Sequence, residues 1–139
     1  MASLKDKLMR HLTEEVYCRL GVSKTHGVGV FAIRPIPKGV APLKTRVRKR
    51  EVRMSREELE ALPKGVITQL KRFCYHEKGT YYVPSSGFNT MDLAVYLNHS
   101  KKPNLRFTKR GVLEALKNVR KGEELTIDYD ESFGGKHHF

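Results

Sequence analysis

Apolar residues change period several times along this 139-residue chain, and each change marks an element. Leu4, Leu8 and Leu12 recur at every fourth position, which is one face of a helix. Ser3 precedes them with Asp6 three residues on, so a capped helix is expected within residues 1–15. From Val16 the period falls to two, and Val16, Cys18, Leu20 and Val22 alternate as in a strand. Ser23 to Gly29 is turn-rich, Val30 to Ile33 reads as a short buried strand, Pro35 to Gly39 as a turn and Val40 to Leu43 as another strand. Ser55-x-x-Glu58 is a second capping pattern, ahead of Leu59 and Leu62. Pro63 is expected as the first residue of a helix carrying Val66, Ile67, Leu70 and Phe73, with Gly79 closing the segment.

The last third is strand-like. Thr80 to Val83 is β-prone, and Leu93 to Leu97 reads as an apolar strand running into Asn98-His99-Ser100. Leu105 to Thr108 and Val112 to Leu116 flank Lys109-Arg110-Gly111 as a hairpin, and Leu125 to Tyr129 forms a strand behind the Lys121-Gly122 turn. Many short strands around one helical insertion describe a small, mainly β, α+β fold, and the length suits a single domain.

Charge changes the picture. Lys plus Arg number 27 against 15 acids, a formal net charge of +12. Between Arg34 and Arg56 nine basic residues face the single acid Glu51. Such a stripe suits phosphates or an acidic protein face, and it equally suits a plain solvated surface. Acids gather instead at Glu123, Glu124, Asp128, Asp130 and Glu131, a rim for a basic ligand or a solvated strand end. Cys18 and Cys74 are too few for a disulfide framework or a thiolate zinc site, and Cys74-x-His76 is too sparse, so no metal is expected. No apolar run approaches the ~20 residues that a membrane span needs, and Lys5, Asp6, Lys7 and Arg10 interrupt any leader-like stretch. A soluble intracellular protein without membrane contact is expected.

Three segments carry chemistry. Gly27-Val28-Gly29 permits a tight turn and close backbone approach to a ligand; it is no dinucleotide fingerprint, because Ala32 stands where the third glycine would fall. Asn98-His99-Ser100 with Pro103-Asn104 brings hydrogen-bonding groups to the end of an apolar run. Gly122 to Tyr129 ends in a tyrosine that can turn its hydroxyl into a pocket. Taken singly, each has a plain reading as a turn, a structural histidine and a core tyrosine.

In this order, however, the three resemble a SET-domain protein-lysine methyltransferase, from about Val16 to Glu131. Gly27-Val28-Gly29 followed by Phe31-Ala32 and Ile36-Pro37-Lys38-Gly39 is similar to the family's opening, Asn98-His99-Ser100 with Pro103-Asn104 to its centre, and Gly122-Glu123-Glu124-Leu125-Thr126-Ile127-Asp128-Tyr129 to its close. The form is that of a minimal SET protein, without cysteine-rich segments before or after the domain. The resemblance implies an N-terminal helical extension (1–15), a SET domain (16–131) with a helical insert at about 50–85, and a tail (132–139). The implied fold has several small β-sheets and a C-terminal pseudoknot. It further implies S-adenosyl-L-methionine as cofactor, cradled by the Gly27, Val28 and Gly29 backbone and met from the other side by Asn98 and His99, with Tyr129 as the catalytic residue in a narrow channel. The implied substrate is a lysine-bearing protein, histone tails being natural candidates, acted on by a monomer or homodimer. The competing reading is a catalytically weak SET-fold module that contacts nucleic acid or chromatin through the Arg34–Arg56 region. Val95-Tyr96 stand where many members have Arg-Phe, and Val40 to Lys44 lack the family's second tyrosine, for which Tyr81, Tyr82 or Tyr96 could stand in. Phe133 or Phe139 could supply the aromatic that closes the cleft.

Overall fold

The computed structural model describes residues 1–46 and 50–133. Arg48, Lys49, His137, His138, Phe139 and the side chain of Phe133 lie outside the described residues. In chain order the elements are α1 (Leu4–Glu14), β1 (Cys18–Val22), β2 (Val28–Ala32), β3 (Glu51–Met54), α2 (Arg56–Glu60), α3 (Lys64–Phe73), β4 (His76–Glu77), β5 (Thr80–Pro84), β6 (Asn98–His99), β7 (Leu105–Phe107), β8 (Leu113–Ala115), β9 (Glu124–Ile127) and α4 (Tyr129–Phe133), with a 3-10 turn at Leu93–Tyr96. This is the mainly β arrangement of small sheets that the resemblance implies. The chain divides into two compact units, 1–46 with 96–139, and 47–95.

The first unit is built on a sheet of order β1-β2-β9-β6. Strands β1 and β2 form a hairpin with Cys18 opposite Ala32 and Val22 opposite Val28. Strand β9 lies between β2, antiparallel with Val30 opposite Leu125, and β6, parallel with Asn98 opposite Thr126 and His99 opposite Ile127. The closing segment is thereby locked between the opening and central ones. Val30, Ile36, Leu105 and Leu125 are wholly buried, and Leu97, Val119 and Ile127 nearly so. Burial pushes the Cys18 thiol up to about 12, so it behaves as a small core hydrophobe. Strands β7 and β8 pair as the expected hairpin, Leu105 opposite Ala115.

The second unit is a β3-β5-β4 sheet with α2 and α3. Leu59, Leu70, Cys74 and Tyr81 form its buried cluster, against which Met54, Leu62, Ile67, Val83 and Phe88 pack.

Several local readings are corrected. Helix α1 forms with both capping-box bonds, but its apolar face stays exposed: no residue of α1 is buried, and Leu4 is 72% exposed. Pro63 is the N-cap of α3, with extended ψ of 143°, rather than its first helical residue. Gly79 does not end that helix. Cys74 already turns extended, and Lys78 (φ 50°) and Gly79 (φ 81°) make the two-residue turn joining β4 to β5, which needs positive φ at both positions. Val40 to Leu43 forms no strand; Pro42 has no N–H to offer, and the Val40 N–H closes a turn onto the Pro37 carbonyl. Leu93 to Tyr96 winds into 3-10 geometry, as a short apolar run can take either form. Strand β9 stops at Ile127 because Asp128 caps a helix: its Oδ1 accepts from the N–H groups of Asp130 (2.9 Å) and Glu131 (3.3 Å).

Candidate active site

The three sequence segments meet in the first unit. The turn at 23–27, which leads from β1 into the start of β2, leaves β1 through Ser23, whose N–H donates to the Gly27 carbonyl at 2.7 Å. Ser23 Oγ accepts from the N–H groups of Thr25 (3.0 Å) and His26 (3.3 Å) and donates to the Glu124 carboxylate at 2.8 Å. Gly27 has φ 49°, a left-handed conformation that favours glycine, and its missing Cβ would meet nothing within 4 Å. Gly29 needs glycine for another reason. A Cβ there would lie 2.4 Å from Glu124 Oε2 and 3.2 Å from Asn98 Nδ2.

Asn98 is buried, and its side-chain amide binds this turn. Nδ2 donates to Glu124 Oε2 at 2.8 Å and to the His26 carbonyl at 3.0 Å, with a weaker approach to the Val28 carbonyl at 3.3 Å. One amide therefore joins β6 to a loop 72 residues earlier and to β9. The main chain of His99 faces the other way. Ser100 N–H donates to the Ile127 carbonyl at 2.9 Å, and strand alternation turns the peptide groups of His99 toward the outer edge of β6, the last strand of the sheet.

Tyr129 opens α4 beside this strand. Its hydroxyl donates to the Leu97 carbonyl, its N–H donates to His99 Nδ1 at 3.0 Å, and the two rings lie 5.3 Å apart, tilted by 54°. His99 Nδ1 thus carries no proton, and the ring hydrogen sits on Nε2. Burial raises the Tyr129 phenol above its ordinary value of 10, so it is neutral at physiological pH. It can hydrogen-bond through its oxygen lone pairs, and it is no base.

The acidic rim read from the sequence is largely engaged inside the unit. Glu124 is held by Ser23 and Asn98, and Glu123 accepts from Asn104 at 3.1 Å. Lys101 bridges Asp128 (3.3 Å) and Asp130. Burial opposes ionisation of Asp128, but the N–H groups of Glu131 and Asp130 and the Lys101 ammonium outweigh it and hold its carboxyl below the usual range. Lys101 is pushed up, first by its bond to Asp130 and then by Asp128. Oxygen and nitrogen atoms of His99, Asp128 and Asp130 lie within 4.8 Å of one another, but the ammonium already sits on both carboxylates. The basic stripe is likewise dispersed. Arg34 donates to the Thr13 carbonyl and lies 4.1 Å over Tyr17, Lys44 pairs with Glu15, Arg53 lies 5.9 Å over Tyr82 and Arg56 pairs with Glu60. Of the tyrosines considered as stand-ins, Tyr81 is buried in the second unit's core, Tyr82 stacks on Tyr75 in that unit, and Tyr96 belongs to the first.

Sequence reasoning placed Ser23 in the turn-rich segment, Asn104 in the central motif and Glu124 in the closing one, but missed the bonds by which they build the site. Asn104 Nδ2 donates to the Glu124 carbonyl (2.8 Å) and its Oδ1 accepts from Thr126 N–H (2.8 Å), which registers the chain after β6 along β9. A Ser at the turn and a Glu on a distant strand carry no signal of pairing, being 101 residues apart.

The SET-domain profile matches residues 27–130, and the chain belongs to the SET-domain family, whose members are in general protein-lysine methyltransferases. Solved structures of similar fold include a candidate histone methyltransferase of Plasmodium falciparum, at 22% identity and TM-score 0.52, covering 85% of this chain and 96% of that one. They also include the humanized mutant of the Chaetomium thermophilum Polycomb Repressive Complex 2 bound to the inhibitor GSK126, at 21% identity and TM-score 0.51, covering 86% of this chain and 16% of that one. At such identities the likeness is one of fold. No curated protein matches this chain in sequence. Among the described residues no helix is long and apolar enough to cross a membrane.

Proposed function

We propose that this chain is an S-adenosyl-L-methionine-dependent methyltransferase that adds methyl groups to lysine side chains of a protein, histone tails among the candidates. The observation that carries the proposal is the juxtaposition of Tyr129 with strand β6: a half-buried phenol fixed to the carbonyl of Leu97, one residue before the asparagine that grips the turn entering β2.

The residues present suit the cofactor. Gly27 offers an exposed backbone with open space where a side chain would stand, and Gly29 leaves room for a carboxylate directly beneath the turn. Glu124, fixed from two sides, favours a cationic group above it, and the peptide edge of His99 is of the kind that reads a planar base. When bound, S-adenosyl-L-methionine supplies a methyl group on a sulfonium. The chain's own part is alignment and exclusion. Tyr129 gives its hydroxyl hydrogen to Leu97, which fixes the direction of the oxygen lone pairs and lets them accept from the N–H of an incoming amine. In-line displacement depends on distance and angle, so a phenol locked by its neighbours supplies what flexible water cannot. The lysine must arrive uncharged, and an apolar approach disfavours its ammonium. Solvent can take that proton beforehand, consistent with a phenol too weakly acidic to ionise near neutrality.

The test is transfer of a labelled methyl group to a panel of basic proteins by the purified chain, beside Tyr129→Phe. Phe keeps the ring and removes the oxygen, and a loss of about 100-fold or more in rate is expected with cofactor binding retained. Transfer undiminished in Tyr129→Phe, or no transfer to any protein including the chain itself, would overturn the proposal.

A further inference from the structure

The β7–β8 hairpin presents a second basic region, which shares only Lys38 with the stripe seen in the sequence. Its two faces differ. Leu105, Phe107, Leu113 and Ala115 turn inward, while Arg106 and Glu114 face each other on the outer side. The tip is Lys109-Arg110-Gly111, where Gly111 takes φ 78° to close the turn. A depression of about 150 Å³ lies where the 38–39 segment meets the hairpin, its lining including Lys38, Gly39, Arg106, Thr108, Glu114 and Ala115. Lys38 arrives there by a fixed route. Its N–H donates to Asn118 Oδ1 at 2.9 Å, and the Gly39 N–H donates to the Ala115 carbonyl at 2.8 Å, so the 38–40 segment runs beside β8 with Lys117 next to it. Lys38, Arg106, Lys109, Arg110 and Lys117 are all exposed, and among the described residues none has an ion-pair partner. Glu114 is the carboxylate among the residues that line the depression.

We propose that this ribbon is a docking surface for duplex nucleic acid, held through its phosphates. Five exposed cations without an ion-pair partner, gathered on the hairpin and the segments beside it, give this face a positive field that draws anions. Residues on one face of a strand recur about every 7 Å, two phosphate rises of about 3.4 Å, so Arg106 and the tip can follow one strand of a duplex. A two-stranded ribbon is also one of the elements that the major groove admits. The mount is rigid, because Asn104 at the root of β7 is bonded to β9. An acidic protein would offer fewer, unevenly spaced charges. The surface is independent of the methyltransferase proposal and shares no residue with its site.

The test is fluorescence anisotropy of a labelled duplex of about 20 base pairs with the full chain over a salt series. Binding is expected to weaken with a log–log salt slope of about −4.5 if the five cations each meet a phosphate. Lys109→Ala/Arg110→Ala is expected to lose about tenfold or more in affinity at about 0.1 M salt and to flatten the slope by about 2. Glu114→Gln, removing the opposing charge, should tighten binding severalfold. Lys5→Glu/Lys7→Glu, on the exposed helix α1, changes the net charge more and should have the smaller effect. The proposal fails if the wild-type chain does not bind at about 0.05 M salt, if the α1 variant weakens binding as much as the tip variant, or if Glu114→Gln leaves affinity unchanged. Polyglutamate bound as tightly as the duplex would replace nucleic acid by an acidic protein. A thermal melt of each variant separates lost binding from lost folding.

Discussion

The two compact units are held together differently. In the second, the buried residues Leu59, Leu70, Cys74 and Tyr81 come from one short stretch, and the cluster is almost wholly apolar. In the first, an apolar core is supplemented by two buried amides, Asn98 and Asn104, the buried polar side chains found among the described residues. Their bonds run 72 residues back to the turn and 20, 22 or 26 residues on to β9. Apolar packing is non-directional: it rejects a one-residue slip of β9, which would turn Leu125 and Ile127 outward, but it discriminates poorly against a slip of two. Directional hydrogen bonds reject both, and they stand where three distant segments must be aligned to form a site. The site's polar lattice is thus part of its architecture as much as of its chemistry.

Shape-preserving replacements sharpen that contrast, with the largest effects expected there. Asn104→Leu keeps the size but strips Thr126 N–H and the Glu124 carbonyl of partners, at about 1–3 kcal/mol for each buried group, so a loss of about 3–4 kcal/mol is expected by urea unfolding. Leu70→Ala leaves a cavity and should cost about 2–5 kcal/mol, but Leu70→Met should cost less than about 1.5 kcal/mol. If Asn104→Leu proved as mild as Leu70→Met, the amides would be incidental.

Gly27 in the turn and Gly29 at the start of β2 divide the same way. Gly29→Ala drives a methyl group against Glu124, whose carboxylate is pinned by Ser23 and Asn98, and should cost about 1–3 kcal/mol together with cofactor affinity. Gly27→Ala meets no atom and should lose only about 1–2 kcal/mol for its left-handed backbone. Adding Glu124→Ala to Gly29→Ala should recover part of the steric loss and none of the binding. A double variant as unstable as Gly29→Ala alone would show that something other than the carboxylate sets the fit.

Local structure was legible in the sequence where a residue acts on its neighbours. Both capping boxes, the hairpin at 105–115 and the β1 strand followed from spacing alone. The three motifs in order pointed to the fold because their types and sequence are specific together. Three things were illegible for a common reason: they depend on what comes alongside. Glu123, Glu124, Asp128 and Asp130 read as a solvent rim, yet Asn104, Ser23, Asn98 and Lys101 take them up. Leu4, Leu8 and Leu12 spell a buried face, yet α1 buries no residue. Tyr129 reads as a strand end until Asp128 is seen to cap a helix.

Titration probes the Tyr129 end of the site. Burial raises the folded phenol above 10. Above that ordinary value the unfolded chain loses the proton first, so stability attributable to this group is complete below about pH 10 and declines as pH rises through the higher folded value. Tyrosinate absorbance of the wild type minus that of Tyr129→Phe should show no ionisation below pH 10, and any rise of methyl transfer between pH 7 and 9 should survive in a profile without a tyrosine limb. A difference titration centred near neutrality would show the phenol to be a base after all.

The smallest effect compares the two capping boxes, which are alike in their bonds and unlike in their surroundings. Ser55 accepts from the Glu58 N–H at 3.2 Å and starts a helix that carries Leu59, 2% exposed, into the second unit's core. Ser3 accepts from the Asp6 N–H at 3.0 Å and starts a helix with no buried residue. A cap contributes to global stability only as far as its helix is coupled to the core. Ser55→Ala should therefore lower the unfolding free energy by about 1 kcal/mol; the Glu58 carboxyl, held below its usual range first by the Ser55 N–H and then by the Ser55 hydroxyl, keeps the first of these bonds in the variant. Ser3→Ala should reduce helical circular dichroism slightly and leave the unfolding midpoint unchanged. Equal shifts in the two midpoints would mean that α1 is coupled to the core in spite of its exposed apolar face.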